Sequence, residues 1–173
     1  MANDIDLLIS LAELAGVFVG FASLVILIGS GVDTSPGSAR SQIKIVVVIG
    51  AMVFVAALLP VCLQRYGVAE SLVWRISSLL FLIIIWSALL TFGRAEGDYT
   101  KEAYLANPPA FLFFWLVLEP AIQIPLILAM FGVYPKLAPA FYLTALIINL
   151  GQAALKFLQV VGAAEKEESD RTV

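Results

Sequence analysis

The sequence predicts an all-α protein, a polytopic membrane helical bundle with five transmembrane helices. The chain of 173 residues is 61% hydrophobic and only 13% charged, whereas soluble domains carry about 25% charged residues. Its mean hydropathy is +0.99. Five runs stay apolar for about 20 residues, the length at which a helix crosses roughly 30 Å of hydrocarbon. We therefore expect the chain to lie in a lipid bilayer.

The five predicted spans cover residues 5–28, 43–63, 72–92, 110–131 and 137–161. Asp4 and Asp6 open the first span, and no basic residue precedes it, so we expect a retained helix instead of a signal peptide. The links at 64–71 and 132–136 are short and predict two antiparallel helical hairpins. Residues 1–162 then form the five-span transmembrane domain, and residues 163–173 form a charged cytoplasmic tail.

The basic residues near the span ends predict the orientation of the bundle, because Lys and Arg are retained on the cytoplasmic side of a membrane. With the N-terminus outside, the inner side carries Arg40, Lys44, Arg94, Lys101, Lys166 and Arg171. The outer side then carries Arg65, Arg75 and Lys136. This imbalance predicts a multi-pass protein of the cell inner membrane, with its N-terminus outside and its C-terminus in the cytoplasm.

Composition excludes several classes of function. The net charge of −3 leaves no basic stripe for phosphates, so nucleic acid is not an expected partner. The chain has no His and a single Cys, Cys62, which removes His/Cys zinc sites, Cys–His nucleophile pairs and an intrachain disulfide. We expect no catalytic residues, no metal and no cofactor, and therefore no enzyme.

Two carboxyls stand inside predicted spans, where a charged side chain costs about 2.5 to 3.5 kcal/mol on insertion scales. Glu13 and Glu119 both fall within about 6 Å of the midplane at 1.5 Å per residue, which predicts one central layer facing the bundle interior. Gln123 follows Glu119 at i+4 on the same helix face. Pro120 and Pro125 remove backbone donors in this stretch and predict a distorted helix.

The fifth span carries further polar residues on one stripe, because Asn149, Gln152, Lys156 and Gln159 follow one another at helical steps. The predicted intramembrane polar layer comprises Glu13, Glu119, Gln123, Asn149, Gln152 and Lys156. The alternative is a structural one, in which these side chains hold helices together at about 0.6 kcal/mol each.

Small residues recur along the first span at Ala12, Gly16 and Gly20. A small-xxx-small series lets another helix approach closely, so we expect these residues to pack against a helix of the protomer or of a second copy. The aromatic residues Trp74, Tyr134, Phe141 and Tyr142 are predicted to lie at the membrane interfaces. Trp86 is predicted to lie deep enough in the membrane that its indole N–H needs a partner.

The stretch Ala12-Glu13-Leu14-Ala15-Gly16 resembles the Ala-Glu-x-x-Gly stretch in the first helix of the small multidrug resistance transporters. In that family the glutamate binds protons and cations, so the resemblance points to Glu13. It covers one helix, and we transfer no substrate or mechanism from it. The chain as a whole resembles the small multi-pass proteins of bacterial inner membranes, which implies a location but no activity.

Two functions fit these features. The first is an oligomeric channel or small carrier whose polar layer binds a proton, a cation or a small polar solute. The second is a non-transporting interaction subunit that uses the same layer to bind another membrane protein. The expected partners are the lipid bilayer and either further copies of the chain or another membrane protein.

Overall fold

The computed structural model describes residues 2–28, 39–95 and 112–171, and every regular element in them is helical. The elements are α1 (Ala2–Ile28), α2 (Ala39–Arg65), α3 (Glu70–Ala95), a π-helical segment (Phe114–Leu118), α4 (Glu119–Phe131) and α5 (Ala138–Arg171). Four stretches are long and apolar enough to cross a membrane: Asn3–Val25, Ile43–Arg65, Glu70–Thr91 and Ala138–Leu158. The all-α fold is thus confirmed, and these helices indicate an integral membrane protein.

The fourth predicted span differs from the other four. Its apolar helix is shorter, Leu116–Phe131, and includes most of the π-helical segment. The first residues of that predicted span, 110 and 111, lie outside the described residues, as do the connections at 29–38 and 96–111. At the other end of the chain α5 continues to Arg171, so no break in the helix separates the transmembrane domain from the charged tail.

Four of the helices form a ring in which each packs mainly on two neighbours, and a smaller contact joins α3 to α5 across the ring. Helix α2 packs on α3, α3 on α4, α4 on α5, and α5 on α2. Helix α1 lies outside this ring, mainly against α2 and to a smaller extent against α5. The short links place α2 beside α3 and α4 beside α5, as the two predicted hairpins require.

Aromatic side chains fill the space enclosed by these four helices. Tyr142 of α5 is fully buried, and its ring centroid lies 5.9 Å from that of Trp74 and 6.0 Å from that of Phe81 on α3. The rings of Trp74 and Tyr142 are therefore buried between helices, close to the first turns of α3 and α5, and their depth at the membrane interfaces stays a prediction. The side chain of Trp86, further along α3, is 52% exposed. Apolar packing on α3 fixes these positions, because Trp74 and Phe81 are two helical turns apart on one face.

The link from α4 to α5 begins with Gly132, where both the backbone conformation and the surrounding atoms favour glycine. Gly132 has φ +66, and the N–H groups of Gly132 and Val133 donate to the carbonyls of Ala129 and Leu128 at 3.1 and 3.2 Å. This pattern is a Schellman cap, which favours glycine. The Arg75 guanidinium of α3 occupies the space that a Cβ at Gly132 would need, so α3 packs directly on the end of α4.

Candidate functional site

Glu119 is the first residue of α4 and follows the π-helical segment directly. The next residue, Pro120, has no N–H and cannot continue the α-helical bonding pattern. A π-type turn shifts the pattern by one residue at such a place, and π-bulges are frequent at functional sites. The distortion predicted around Pro120 is present, and it positions a carboxyl that is only 8% exposed.

Gln123 binds this carboxyl. Its side-chain Nε2 donates to Oε2 of Glu119 at 3.0 Å, as their i+4 spacing on one helix face predicts. The pair therefore holds the Glu119 carboxyl in one orientation within a mostly apolar environment.

The Glu119–Gln123 pair lies in a groove of about 490 Å³ between α3 and α4. The groove is lined by Trp86, Leu89, Leu90, Glu119, Pro120, Gln123, Ile124 and Ile127. Most of its walls are apolar, and the exposed side chains of Trp86, Leu90 and Ile124 form its rim. The groove thus opens on the side of the bundle, the surface that a membrane-spanning arrangement presents to lipid.

Glu13 does not share this site. Its side chain is exposed on α1, which packs on α2 and α5, whereas α4 packs on α3 and α5. The expectation that Glu13 faces the bundle interior beside Glu119 is wrong. The buried face of α1 is made by Leu8, Ala12 and Ala15, and Glu13 lies about 100° around the helix from Ala12 and further from Leu8.

The stripe on α5 is buried where it crosses the core. Asn149 and Gln152 are 4% and 3% exposed, and Lys156 is partly buried. Asn149 Oδ1 and Gln152 Nε2 have no hydrogen-bond partner within the described parts of the chain. A buried polar atom without a partner costs about 1 to 3 kcal/mol, so these two atoms do not hold helices together as the structural alternative requires. The side chain of Gln159 lies outside the described residues.

The small residues of α1 have different environments. Ala12 is buried, and a Cβ added to Gly16 would lie 3.8 Å from the Phe54 ring of α2. Gly20 is exposed, and a Cβ there would meet nothing within 4 Å among the described residues. Within the protomer, the packing predicted for this series thus holds for Ala12 and Gly16 but not for Gly20.

Sequence reasoning missed the glycine that brings α1 and α2 together. A Cβ on Gly50 of α2 would come within 2.8 Å of Val19 Cγ2 and 3.6 Å of the Ala15 carbonyl. A glycine inside an apolar helix is the sequence feature that indicates such a contact, since it lets another backbone approach closely. Gly50 therefore sets the close packing of α1 that turns Glu13 outwards.

A second missed group is on α3. Trp74 Nε1, Ser77 Oγ and Ser78 Oγ are buried and have no hydrogen-bond partner in the ranges that the structure describes. Their i, i+3 and i+4 spacing places them on one helix face. That spacing was visible in the sequence and indicates a polar strip next to the aromatic core.

Comparisons with family models, curated proteins and solved structures gave no match for this chain. The fold and its apolar helices define the class, an integral membrane protein with a helical bundle. Among the described residues, no group of three or more His, Cys, Asp or Glu side chains is placed to hold a metal ion.

Proposed function

We propose that this protein is a small oligomeric membrane carrier in which Glu119 and Gln123 bind a proton, a cation or a small polar solute. The observation that carries the proposal is the buried Glu119 carboxyl, which accepts a hydrogen bond from Gln123 inside a groove between α3 and α4. Buried carboxyls in membrane helices are rare and mark ion or substrate sites. Glu13 lies on an exposed face of another helix, so the proposed site is the Glu119–Gln123 pair.

The packing of the bundle favours a carrier over a channel. Tyr142 and Phe81 are fully buried and fill the centre of the four-helix ring with aromatic rings 6.0 Å apart. A pore through this centre would need both rings to move. A groove that opens on the side of the bundle can instead hold one solute at a time.

The outer face of α1 supports the oligomeric part of the proposal. Glu13 and Gly20 are both exposed there within the candidate span Asn3–Val25. A carboxyl facing lipid at this depth is costly, and a second helix that packs on this face and offers it a hydrogen-bond donor would lower the cost. The free space above Gly20 lets another backbone approach closely.

Cross-linking between copies tests this contact. In a Cys62→Ala background, Gly20→Cys should form a disulfide-linked dimer under mild oxidation in membranes. Val25→Cys is the matched control, because Val25 is also exposed but lies about 140° around the helix from Gly20. Equal cross-linking of the two variants, or none at Gly20, would contradict an interface on this face.

Flux measurements test the carrier itself. We expect wild-type protein in vesicles to move protons or a monovalent cation, and we expect Glu119→Gln to abolish the flux while the protein stays folded, because the amide preserves the shape. Glu70→Gln, at the exposed start of α3, is the control for loss of one carboxyl. A purely structural Glu119 would tolerate Gln and lose stability with Leu. Wild-type vesicles without flux of any cation tested would overturn the carrier.

A second function, an interaction subunit, is favoured by the same exposed Glu13. A helix of another membrane protein with a hydrogen-bond donor at this depth would pair with the carboxyl. Purification in a mild detergent followed by mass measurement separates the two functions. A carrier should purify alone as a symmetric oligomer, whereas a subunit should bring a different protein with it.

A further inference from the structure

The groove beside Glu119 has one polar corner and several apolar walls, and this division indicates the chemistry of its ligand. We propose that the groove binds an amphipathic amine, a primary or secondary ammonium group attached to a hydrocarbon or aromatic body, that enters from the lipid. The inference rests on the site of the proposed carrier but concerns binding alone, so it can be tested without transport.

The polar corner is rich in hydrogen-bond acceptors. A carboxylate offers about four lone-pair positions, and the bond from Gln123 Nε2 occupies one on Oε2 of Glu119. The carbonyl oxygen of Gln123 is a further acceptor. None of the residues that line the groove is a cation. A ligand that brings both a positive charge and N–H donors complements this corner.

The walls match an apolar body. Leu89, Leu90, Ile124 and Ile127 line the groove, and Trp86 is 52% exposed at its rim. An indole face attracts cations as well as hydrocarbon. The volume of about 490 Å³ is within the range of roughly 300 to 1,000 Å³ typical of small-molecule sites.

The same features disfavour other ligands. The Glu119 carboxylate repels anions, and a sugar would leave most of its hydroxyls unpaired against leucine and isoleucine walls. The exposed rim at Trp86, Leu90 and Ile124 lies on the side of the bundle. An amphipathic amine, which partitions into a bilayer, reaches this opening without crossing the protein.

Binding of 2-phenylethylamine to the protein in lipid nanodiscs tests the inference, with empty nanodiscs as the control for partitioning. We expect saturable binding that is at least about tenfold weaker for Glu119→Gln, while Glu70→Gln keeps the wild-type affinity. The neutral isostere 2-phenylethanol should show no saturable binding. The trimethylammonium derivative keeps the charge but lacks N–H donors and should also bind about tenfold more weakly.

A second variant tests the groove independently of Glu119, so the inference can still be tested if Glu119→Gln does not fold. Leu90→Trp fills the apolar wall without changing the charge and should lower the amine affinity about tenfold. The inference is overturned if wild-type protein shows no saturable amine binding, if the alcohol binds as tightly as the amine, or if Leu90→Trp has no effect. Proton flux that depends on Glu119 without amine binding would overturn this inference alone, whereas saturable amine binding without any flux would overturn only the carrier.

Discussion

The hydroxyl of Tyr142 donates a 2.7 Å hydrogen bond to the backbone carbonyl of Ala56 and thereby joins α5 to α2 inside the bundle. Ala56 precedes Pro60, which lies within α2, by four residues. A proline has no N–H, so the Ala56 carbonyl lacks its usual donor in the helix. Tyr142 supplies that donor from a position 86 residues away in the sequence.

We expect Tyr142→Phe to lower the free energy of unfolding by about 1 to 2 kcal/mol, because it leaves a buried carbonyl without a partner. In a Pro60→Ala background the helix itself offers an N–H to Ala56, so the same change should cost clearly less. Reversible unfolding in mixed detergent micelles measures both costs. Equal costs in the two backgrounds would show that the hydroxyl does not replace the missing N–H.

We expect Gly132→Ala to destabilise the bundle by more than about 1 kcal/mol, because alanine is strained at positive φ. The Arg75 guanidinium that its Cβ would meet is the end of a flexible side chain and adds a smaller cost. Gly67 is the matched control, since it has φ +75 but open space around it. Thermal unfolding of the two alanine variants separates the cost of backbone strain, which both share, from the cost of the steric overlap with Arg75, which only Gly132→Ala has. If Gly67→Ala cost as much as Gly132→Ala, the contact with Arg75 would contribute nothing.

We expect Gln152→Met to leave the free energy of unfolding unchanged or to raise it by up to about 1 kcal/mol, because Gln152 Nε2 is buried without a partner among the described residues and Met fills a similar space. Gln123→Met should instead cost about 0.5 to 1.5 kcal/mol, since it removes the donor to Glu119. Chemical unfolding compares the two variants. A large loss for Gln152→Met would assign this amide a structural role.

We expect alkaline phosphatase fused after Val173 to be inactive and green fluorescent protein fused there to be fluorescent, since the Lys and Arg distribution predicts a cytoplasmic C-terminus. The same phosphatase inserted between Gly67 and Val68, in the link between α2 and α3, should be active. An active phosphatase at the C-terminus would show that either the predicted orientation or the predicted number of spans is wrong.

Length and apolar composition were enough to predict the helices, because a span of about 20 apolar residues has few other structures available in lipid. The direction that each helix faces was harder to predict. Helix α1 carries apolar residues all round its circumference, so hydrophobicity gives it no preferred face, and the packed side depends on Gly50 of another helix. The position of Glu13 on the exposed face could therefore not be predicted from α1 alone.

Local spacing likewise predicted the Glu119–Gln123 pair, because i and i+4 residues meet on any helix. The partner of Tyr142 could not be predicted in this way. Pro60 indicates an unpaired carbonyl at Ala56, but many side chains could approach it. The choice of Tyr142 depends on how α2 and α5 pack, which neither helix encodes alone.

Helix α5 packs on all four other helices of the described chain and has 34 residues, of which 21 belong to its apolar stretch. At about 1.5 Å per residue, the remainder extends this helix roughly 20 Å beyond that stretch. Arg171 lies about 44 Å along the helix from Tyr142, so a tilt of about 5° at Tyr142 would displace Arg171 by about 4 Å. A rearrangement of the core is therefore amplified at the charged end of α5, where a spectroscopic label would report it.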